Sequence, residues 1–275
     1  MRVVVTGMSG FVGGHLARRL TELGHEAIRG GRDELALDNV DAVVHLAGTR
    51  SGSPSQLAAT NVVGTARVLE QTCRLGLRTV VVGSSAIYGA SSDKIDETAM
   101  IAPITAYGAS KAATEIVARQ MFAATNAPIV RARPFNIIGP AQRGDYLAVA
   151  CARQIVAIER GATPRILRLG NLASSRDFVD VRDVVDALVV LAKDGEAGEA
   201  YNICSGVATP IRALIDSMIE AVGGSIEVEH TPPRSDDVSI QVGSAAKLSK
   251  LGWSQKYSLA ASVRDLLADL RADQS

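Results

Sequence analysis

The chain has 275 residues, of which 47% are apolar and only 4% aromatic, and its 29 Lys and Arg residues balance 29 Asp and Glu residues. Zero net charge argues against a surface for nucleic acids or other polyanions. Three scattered cysteines and four scattered histidines show neither a disulfide framework nor metal-ligand spacing, so we expect no metal site. Because no apolar run is long enough for a bilayer and no signal-peptide pattern precedes the first predicted strand, we expect a cytoplasmic protein without a membrane partner.

A glycine-rich turn near the N-terminus lies between a predicted strand and a predicted helix. The strand covers residues 2–6, and the helical pattern starts near Phe11. Between them stand Gly7, Gly10 and Gly13. Glycines let the backbone approach a pyrophosphate closely, and the helix N-terminus supplies amide donors and a favourable dipole. The pattern predicts a dinucleotide site, with a tight turn that binds no ligand as the alternative.

The second predicted strand, at about residues 25–30, bears on the choice of cofactor. In NAD sites an acidic residue at the end of this strand binds the ribose 2′-hydroxyl, whereas arginines accommodate the 2′-phosphate of NADP. Arg29 and Arg32 therefore favour NADP(H). Asp33 leaves NAD(H) open, and a solvated basic loop is the other interpretation of the two arginines.

The third predicted strand, residues 41–48, follows after a short connection. It contains His45, which we interpret as a packed residue rather than a ligand. Only about ten residues separate this strand from the second, too few for a crossover helix and another strand. We therefore expect a nucleotide-binding half that has lost one strand–helix unit.

A long helix is predicted over residues 54–76, and it contains Asn61. An asparagine within a helix can open the hydrogen-bond ladder locally or bind a side chain near the cofactor, and an exposed polar position is the alternative. The next strand, residues 78–83, delivers Ser84 and Ser85 at its carboxyl end. Ligands of open α/β sheets bind at that edge, so Ser85 is predicted to polarise a substrate carbonyl.

Tyr107 and Lys111 stand four residues apart at the start of another predicted helix. That spacing places both side chains on one helix face. A phenol is a poor acid or base at neutral pH, and a nearby ammonium group favours its ionised form. The pair therefore predicts a tuned proton donor, with an exposed helix pair as the alternative.

Several motifs together resemble those of one family. They are Thr6-Gly7-x-x-Gly10-x-x-Gly13, Asn61-x-x-Gly64-Thr65, Ser84-Ser85-x-x-Tyr88-Gly89, Tyr107-x-x-x-Lys111, Arg133-Pro134-Phe135-Asn136, Arg176-Asp177-Phe178 and Tyr201-Asn202-Ile203. Over residues 1–253 the chain resembles an extended short-chain dehydrogenase/reductase of the sugar-nucleotide epimerase/dehydratase type.

The resemblance implies an α/β fold with a Rossmann-type doubly wound parallel sheet and a small, mixed α/β C-terminal lobe that binds substrate. The nucleotide-binding domain would comprise residues 1–140, with residues 176–204 returning to it. The lobe would comprise residues 141–175 and 205–275. The resemblance also implies a homodimer, formed by pairing of the long helix at 55–76 and the helix that opens at Tyr107.

The resemblance implies a catalytic trio of Ser85, Tyr107 and Lys111. Tyr107 would exchange a proton with the substrate oxygen while hydride moves between nicotinamide and carbon. Ser85 would hold that oxygen, and Lys111 would bind the nicotinamide ribose and lower the pKa of Tyr107. The implied cofactor contacts are Gly7, Ser9, Gly10, Phe11, Val12, Gly13, Arg29, Arg32, Leu46, Ala47, Gly48, Asn61, Tyr107, Lys111 and Pro134.

The implied substrate is a nucleotide-diphosphate sugar. Its implied contacts are Ser85, Ala86, Asn136, Arg176 and Arg234. Guanidinium groups bind phosphate in a bidentate manner, which suits Arg176 and Arg234 to the diphosphate. The alternatives are a salt bridge for Arg176, with Asp177 or Asp180, and a solvated loop for Arg234.

Subgroup features narrow the implied reaction. Dehydratases of this family have Thr-Asp-Glu where we align Ser85, Ala86 and Ile87, so the acid and base for eliminating water are missing. Residues 142–146, 152–155, 170–172 and 176–185 look most like those of GDP-4-keto-6-deoxy-mannose reductases, and related 4-ketoreductases act on dTDP sugars. The resemblance therefore implies NADPH-dependent reduction of a nucleotide-linked 4-keto-6-deoxyhexose. An NAD-dependent C4 epimerase and a dinucleotide-binding regulator without catalysis are the alternatives.

Overall fold

The computed structural model describes residues 1–31, 34–91, 93–169, 172, 174–223, 226–230 and 240–273. Two predicted site residues, Arg32 and Arg234, lie outside these ranges, as does Asp33. The strands are β1 (Arg2–Thr6), β2 (Glu26–Arg29), β3 (Ala42–His45), β4 (Arg78–Val82), β5 (Ile129–Pro134), β6 (Asn136–Ile138), β7 (Ile166–Leu169), β8 (Ser175–Arg176), β9 (Phe178–Asp180), β10 (Ala200–Ile203), β11 (Thr209–Pro210), β12 (Glu227–His230) and β13 (Ile240–Gln241).

The helices alternate with the strands in the first half of the chain, and the last two elements of the chain are helices. They are α1 (Phe11–Glu22), α2 (Pro54–Leu57), α3 (Gly64–Arg74), α4 (Ala106–Thr125), α5 (Leu147–Glu159), α6 (Val181–Asp194), α7 (Ile211–Glu220), α8 (Ala246–Ser249) and α9 (Leu259–Asp273). A π-helix (Ala58–Val63) joins α2 to α3, and a short 3-10 turn covers Ser85–Ile87. Among the described residues, no helix is both long enough and apolar enough to cross a bilayer.

The main sheet, within the described residues, has six strands in the order β10-β5-β4-β3-β1-β2. All of its neighbouring strands pair in parallel, as the predicted doubly wound fold requires. Their carboxyl ends therefore meet at one edge, where open α/β sheets bind ligands. β1 lies directly between β2 and β3, so β2 is the outermost strand of this sheet. The sheet therefore lacks one strand–helix unit between β2 and β3, as predicted.

The two largest hydrophobic clusters of the described residues lie in different parts of the fold. The larger one packs α1 and α6 against the main sheet and includes Val5, Val44 and Leu188. The second packs α5, α7 and α9 together with β7 and is centred on residues such as Ile155 and Leu214. The predicted division does not separate the clusters at residue 205, because the C-terminal Leu248 and Trp253 pack into the first cluster.

The helical segment predicted over 54–76 contains a π-helix that the sequence prediction did not specify. Ser53 caps its start by accepting a hydrogen bond from Gln56 N, and the helical backbone continues through the π-helix into α3. Asn61 lies inside the π-helix and is only 1% exposed, so its interpretation as an exposed polar position is wrong. A π-helix shifts the backbone hydrogen bonds by one residue, a feature common at functional sites.

Candidate active site

The glycine turn after β1 has the shape of a phosphate cradle. Gly7 has φ +70°, and a Cβ atom there would lie 2.9 Å from Ala47 N, so the backbone needs glycine at this position. Helix α1 begins after Gly10 with no side-chain cap and no acidic residue in its first turn. Its first N–H groups are thus left for an anion, and the cradle fits the pyrophosphate of a dinucleotide.

Gly13 provides a sharp test of this turn. A Cβ atom on Gly13 would lie 2.2 Å from Gly7 O, whereas one on Gly14 would find its nearest atom 3.8 Å away. We expect Gly13→Ala to lower the free energy of unfolding by about 1–3 kcal/mol and to abolish dinucleotide binding. Gly14→Ala should instead raise the free energy of unfolding by about 0.5–1 kcal/mol, because alanine suits a helix interior better than glycine. Urea unfolding and NADPH fluorescence would measure both; equal behaviour of the two variants would contradict the cradle.

The other predicted cofactor residues lie around this turn. Arg29 is exposed at the carboxyl end of β2, in register with Val5 next to the turn. Ser9 is exposed, and Phe11 and Val12 are half-buried in the first turn of α1. Pro134 ends β5 at the same edge of the sheet. The structure therefore brings these predicted residues to one edge.

Asn61 ties the loop after β3 to helix α4. Its amide nitrogen donates to Thr49 O at 2.9 Å and to Ser110 Oγ at 2.8 Å, and its Oδ1 accepts from Thr49 N at 2.8 Å. A Cβ atom on Gly48 would lie 3.0 Å from this Oδ1 and 3.5 Å from Lys111 Nζ. Asn61 thus fixes the loop that carries Leu46, Ala47 and Gly48 beside Lys111.

His45 is a packed residue, as predicted. It is 4% exposed, and its two ring nitrogens hydrogen-bond the hydroxyls of Thr6 at 2.7 Å and Thr65 at 3.0 Å. Burial lowers the pKa of His45 to about 3, so the ring is neutral at physiological pH. No three His, Cys, Asp or Glu side chains of the described ranges are grouped as metal ligands.

Tyr107 and Lys111 lie in the first two turns of α4. Thr105 caps the helix by accepting a hydrogen bond from Gly108 N at 3.0 Å, which explains why it begins here. A Cβ atom on Gly108 would lie 2.2 Å from Ala86 O, so glycine lets the helix start pack directly on the turn after β4. The Lys111 ammonium donates to Val82 O at 2.9 Å. Tyr107 and Lys111 thus stand at the carboxyl edge of the sheet.

Several groups of the site shift the pKa of Tyr107. Burial raises the pKa of Tyr107, opposed by a hydrogen bond from the Ser84 side chain and by the charge of Arg50. The Lys111 ammonium donates to the Val82 carbonyl, and its lowering of the Tyr107 pKa stays a prediction.

Ser85 and Ser84 differ in what their side chains contact. Ser85 is 5% exposed, and its hydroxyl donates to Gln241 Oε1 at 3.3 Å, inside the protein. Ser84, the preceding residue, is half-buried, and its side chain is the first of the groups that oppose the rise of the Tyr107 pKa. The 3-10 turn that begins at Ser85 directs successive side chains to different sides, and the one beside the phenol is Ser84.

Arg50 and Tyr146 are site residues that the sequence analysis did not identify. The Arg50 guanidinium lies 4.6 Å from the centre of the Tyr146 ring, and both side chains influence the pKa of Tyr107. Arg50 follows β3 at the ligand-binding edge, and Tyr146 precedes α5 in the lobe. Two features of the sequence could have identified them. Arg50 follows the end of a strand, and Tyr146 lies in the segment 142–146 that looks like those of reductases.

The predicted substrate residues fall into two groups. Ala86 is half-buried in the turn beside Tyr107. Asn136 and Arg176 lie where the sheet meets the lobe: Asn136 Nδ2 donates to Asp177 O at 3.0 Å, and Arg176 Nη1 donates to Ser175 O at 3.0 Å. The Asp177 carboxylate is occupied by Ser205 N, Gly206 N and Gly243 N.

Burial of Lys111 gives a pH-dependent stability. Its surroundings lower its pKa from 10.5 to about 8, so the unfolded chain holds this proton more tightly than the folded protein. The free energy of unfolding should therefore rise between pH 8 and 10.5, by about 3 kcal/mol from this group. Lys111→Met should lose that rise, whereas Lys250→Met, which alters an exposed lysine, should keep it. Urea unfolding at pH 7.5 and 10 would measure the difference; a rise retained in Lys111→Met would contradict it.

Comparison with known proteins agrees with a dinucleotide site built from the glycine turn, Tyr107 and Lys111. The family model described as "NAD dependent epimerase/dehydratase family" matches residues 3–204. The chain belongs to this family. It is 32% identical to the GDP-6-deoxy-D-mannose reductase of Pseudomonas aeruginosa, over 98% of this chain and 96% of that protein. It is 30% identical to a UDP-glucose 4-epimerase of Mycolicibacterium smegmatis, over 96% of each.

A solved structure supports the same family assignment. The structure of RMD from Pseudomonas aeruginosa complexed with NADPH matches with a TM-score of 0.91 at 30% identity, over 98% of this chain and 99% of that one. The predicted family and the Rossmann-type fold are confirmed. The chain is a member of a family of NAD(P)-dependent enzymes that modify nucleotide sugars.

Proposed function

We propose that this protein reduces a nucleotide-diphospho-4-keto-6-deoxyhexose, linked to GDP or dTDP, with NADPH. The observation that carries the proposal is the meeting of Tyr107, Ser84 and Lys111 at the sheet edge that also holds the glycine turn. The similarity to a GDP-6-deoxy-D-mannose reductase supports a reductase, and the NADPH bound by RMD supports that cofactor. NAD(H) is the second candidate cofactor.

The residues divide the work of a ketone reduction. Bound NADPH would supply the hydride to the carbonyl carbon. Tyr107 donates a proton to the carbonyl oxygen, so that a ketone, a hydride and a proton give an alcohol. Ser84, in place of the predicted Ser85, donates a hydrogen bond to the same oxygen as charge develops on it. Lys111 would hold the nicotinamide ribose and would keep positive charge close to the reacting oxygen.

The turn after β4 lacks the groups that an elimination of water needs. With Ser84 in the position of the dehydratase threonine, the next two residues are Ser85 and Ala86. Neither a buried serine hydroxyl nor an alanine can replace the aspartic acid and glutamate base. This supports reduction rather than 4,6-dehydration.

The main competing function is C4 epimerisation, which the similarity to a UDP-glucose 4-epimerase supports. An epimerase oxidises and re-reduces one sugar on a retained NAD, whereas a reductase consumes a diffusible cofactor. We expect the purified protein to contain no stoichiometric NAD and to consume one NADPH per ketone. Co-purified NAD, together with turnover in the absence of added cofactor, would support the epimerase and contradict the reductase.

We also propose a homodimer built on α4 and the helical segment 54–74. Ile116 on α4 is 61% exposed and Val63 in the π-helix is 47% exposed, and the two helical segments pack side by side. We expect Ile116→Glu to give a monomer in gel filtration at low micromolar concentration, because a buried charge opposes association. Leu23→Glu, a change to an exposed leucine at the end of α1, should remain dimeric. A monomeric parent protein would overturn the proposal.

A further inference from the structure

Gln241 reaches from the lobe side of the molecule into the turn that carries Ser84 and Ser85. Its side-chain nitrogen donates to Ser85 O at 3.1 Å and to Tyr88 O at 3.3 Å, and its Oε1 accepts from the Ser85 hydroxyl at 3.3 Å. The residue is 7% exposed. One buried amide thus holds both ends of the 3-10 turn.

The turn has little freedom on its other side. Ser84 accepts a hydrogen bond from Ala86 N at 3.1 Å, and α4 packs on Ala86 O through Gly108. The turn is therefore held between Gln241 and the helix of Tyr107. Loss of the Gln241 contacts would release the Ser84 hydroxyl from its position beside Tyr107 and would leave two buried carbonyl groups without this donor.

The backbone of Gln241 pairs with the strand that carries Arg176, a predicted substrate contact. In the pairing of β13 with β8, Gln241 stands opposite Arg176, the candidate diphosphate contact. Asp177 N donates to Gln241 O at 3.1 Å, and Ile95 N donates to Val242 O at 2.8 Å. The same residue thus joins the candidate phosphate-binding strand to the turn that carries Ser84.

We propose that Gln241 is a positioning residue that sets the Ser84 turn relative to a sugar nucleotide held at Arg176. The inference rests on the proposed function in one respect, the use of a nucleotide-linked ketone in the kinetic test. The side-chain amide is needed for turnover, because it orients the group that binds the reacting oxygen. It is not needed for holding the cofactor, because Gln241 makes no contact with the glycine turn among its hydrogen bonds.

Two substitutions separate hydrogen bonding from space filling. Gln241→Met keeps the length and most of the volume of the side chain but removes its donors and its acceptor, whereas Gln241→Ala also removes the volume. Misplacement of a catalytic group by an ångström costs about 10²-fold in rate. We expect kcat to fall by about 10²-fold in both variants, with the KM for NADPH unchanged.

Gln154→Ala is the matched control. Gln154 also bridges two backbone groups with its amide, Arg168 N at 2.9 Å and Arg168 O at 3.2 Å, but it joins α5 to β7 within the lobe. We expect its kcat to stay within about twofold of the parent protein. A kcat near that of the parent protein in Gln241→Met, or a loss of equal size in Gln154→Ala, would overturn the proposal.

A second measurement needs no substrate and separates this proposal from the proposed function. Amide hydrogen exchange of residues 84–89 should be faster in Gln241→Met than in the parent protein, with exchange across β1 and α1 unchanged. If the parent protein does not reduce the ketone, the proposed function fails while the exchange result still tests Gln241. Unchanged exchange at 84–89 would overturn the positioning role whatever the substrate is.

Discussion

Replacing Tyr107 by phenylalanine is expected to lower kcat by about 10²- to 10⁴-fold, the usual contribution of a positioned general acid. The phenol is the group that we propose donates the proton to the substrate oxygen, and phenylalanine preserves the ring. The binding of NADPH should persist, because the glycine turn is untouched. Single-turnover oxidation of NADPH with the nucleotide-linked ketone would measure the effect.

Tyr257→Phe is the control for this substitution. Tyr257 stacks on Arg182, with the guanidinium carbon 3.7 Å from the ring centre, on a part of the molecule built from α6 and the segment before α9. Loss of its hydroxyl should leave kcat unchanged. Unchanged turnover in Tyr107→Phe would show that Tyr107 is not the acid.

The two adjacent serines should differ sharply in their effect. Ser84→Ala removes the hydroxyl beside Tyr107 and is expected to lower kcat by about 10²-fold, as loss of one oxyanion donor does. Ser85→Ala removes only the hydrogen bond to Gln241 Oε1, while both bonds from the Gln241 nitrogen to backbone carbonyls remain. We expect a loss below about tenfold, since a neutral hydrogen bond contributes about 1 kcal/mol.

Steady-state kinetics of both variants would decide between the two residues. Loss of activity in Ser84→Ala should come with a higher pKa of Tyr107, because the Ser84 hydrogen bond lowers that pKa. The alkaline limb of the pH profile should then move to higher pH. A larger loss in Ser85→Ala than in Ser84→Ala would restore the assignment made from the sequence.

The sequence predicted the sheet, the glycine turn and the Tyr107–Lys111 pair, since each depends on local pattern. Strand periodicity also placed Ser84 and Ser85 at the ligand-binding edge. Which serine faces the phenol depends on the path of a three-residue 3-10 turn, and strand periodicity does not extend into such a turn. We therefore propose Ser84, one residue before the predicted Ser85, as the serine that binds the substrate oxygen.

Contacts between distant segments were harder to predict. Arg50 and Tyr146 meet across 96 positions of sequence, and Gln241 reaches the Ser85 turn from the far end of the chain. No spacing rule links such residues. The hydrogen bond from the Lys111 ammonium to the Val82 carbonyl also joins distant segments.

The fate of the hydride tests the central claim most directly. NADPH that carries deuterium at the transferring position of its nicotinamide would be incubated with the nucleotide-linked 4-keto-6-deoxyhexose, and the sugar would be examined by mass spectrometry and NMR. A reductase places one deuterium on C4 of the product for each NADPH oxidised. A product without deuterium, formed while NADPH is not consumed, would contradict the proposed reduction.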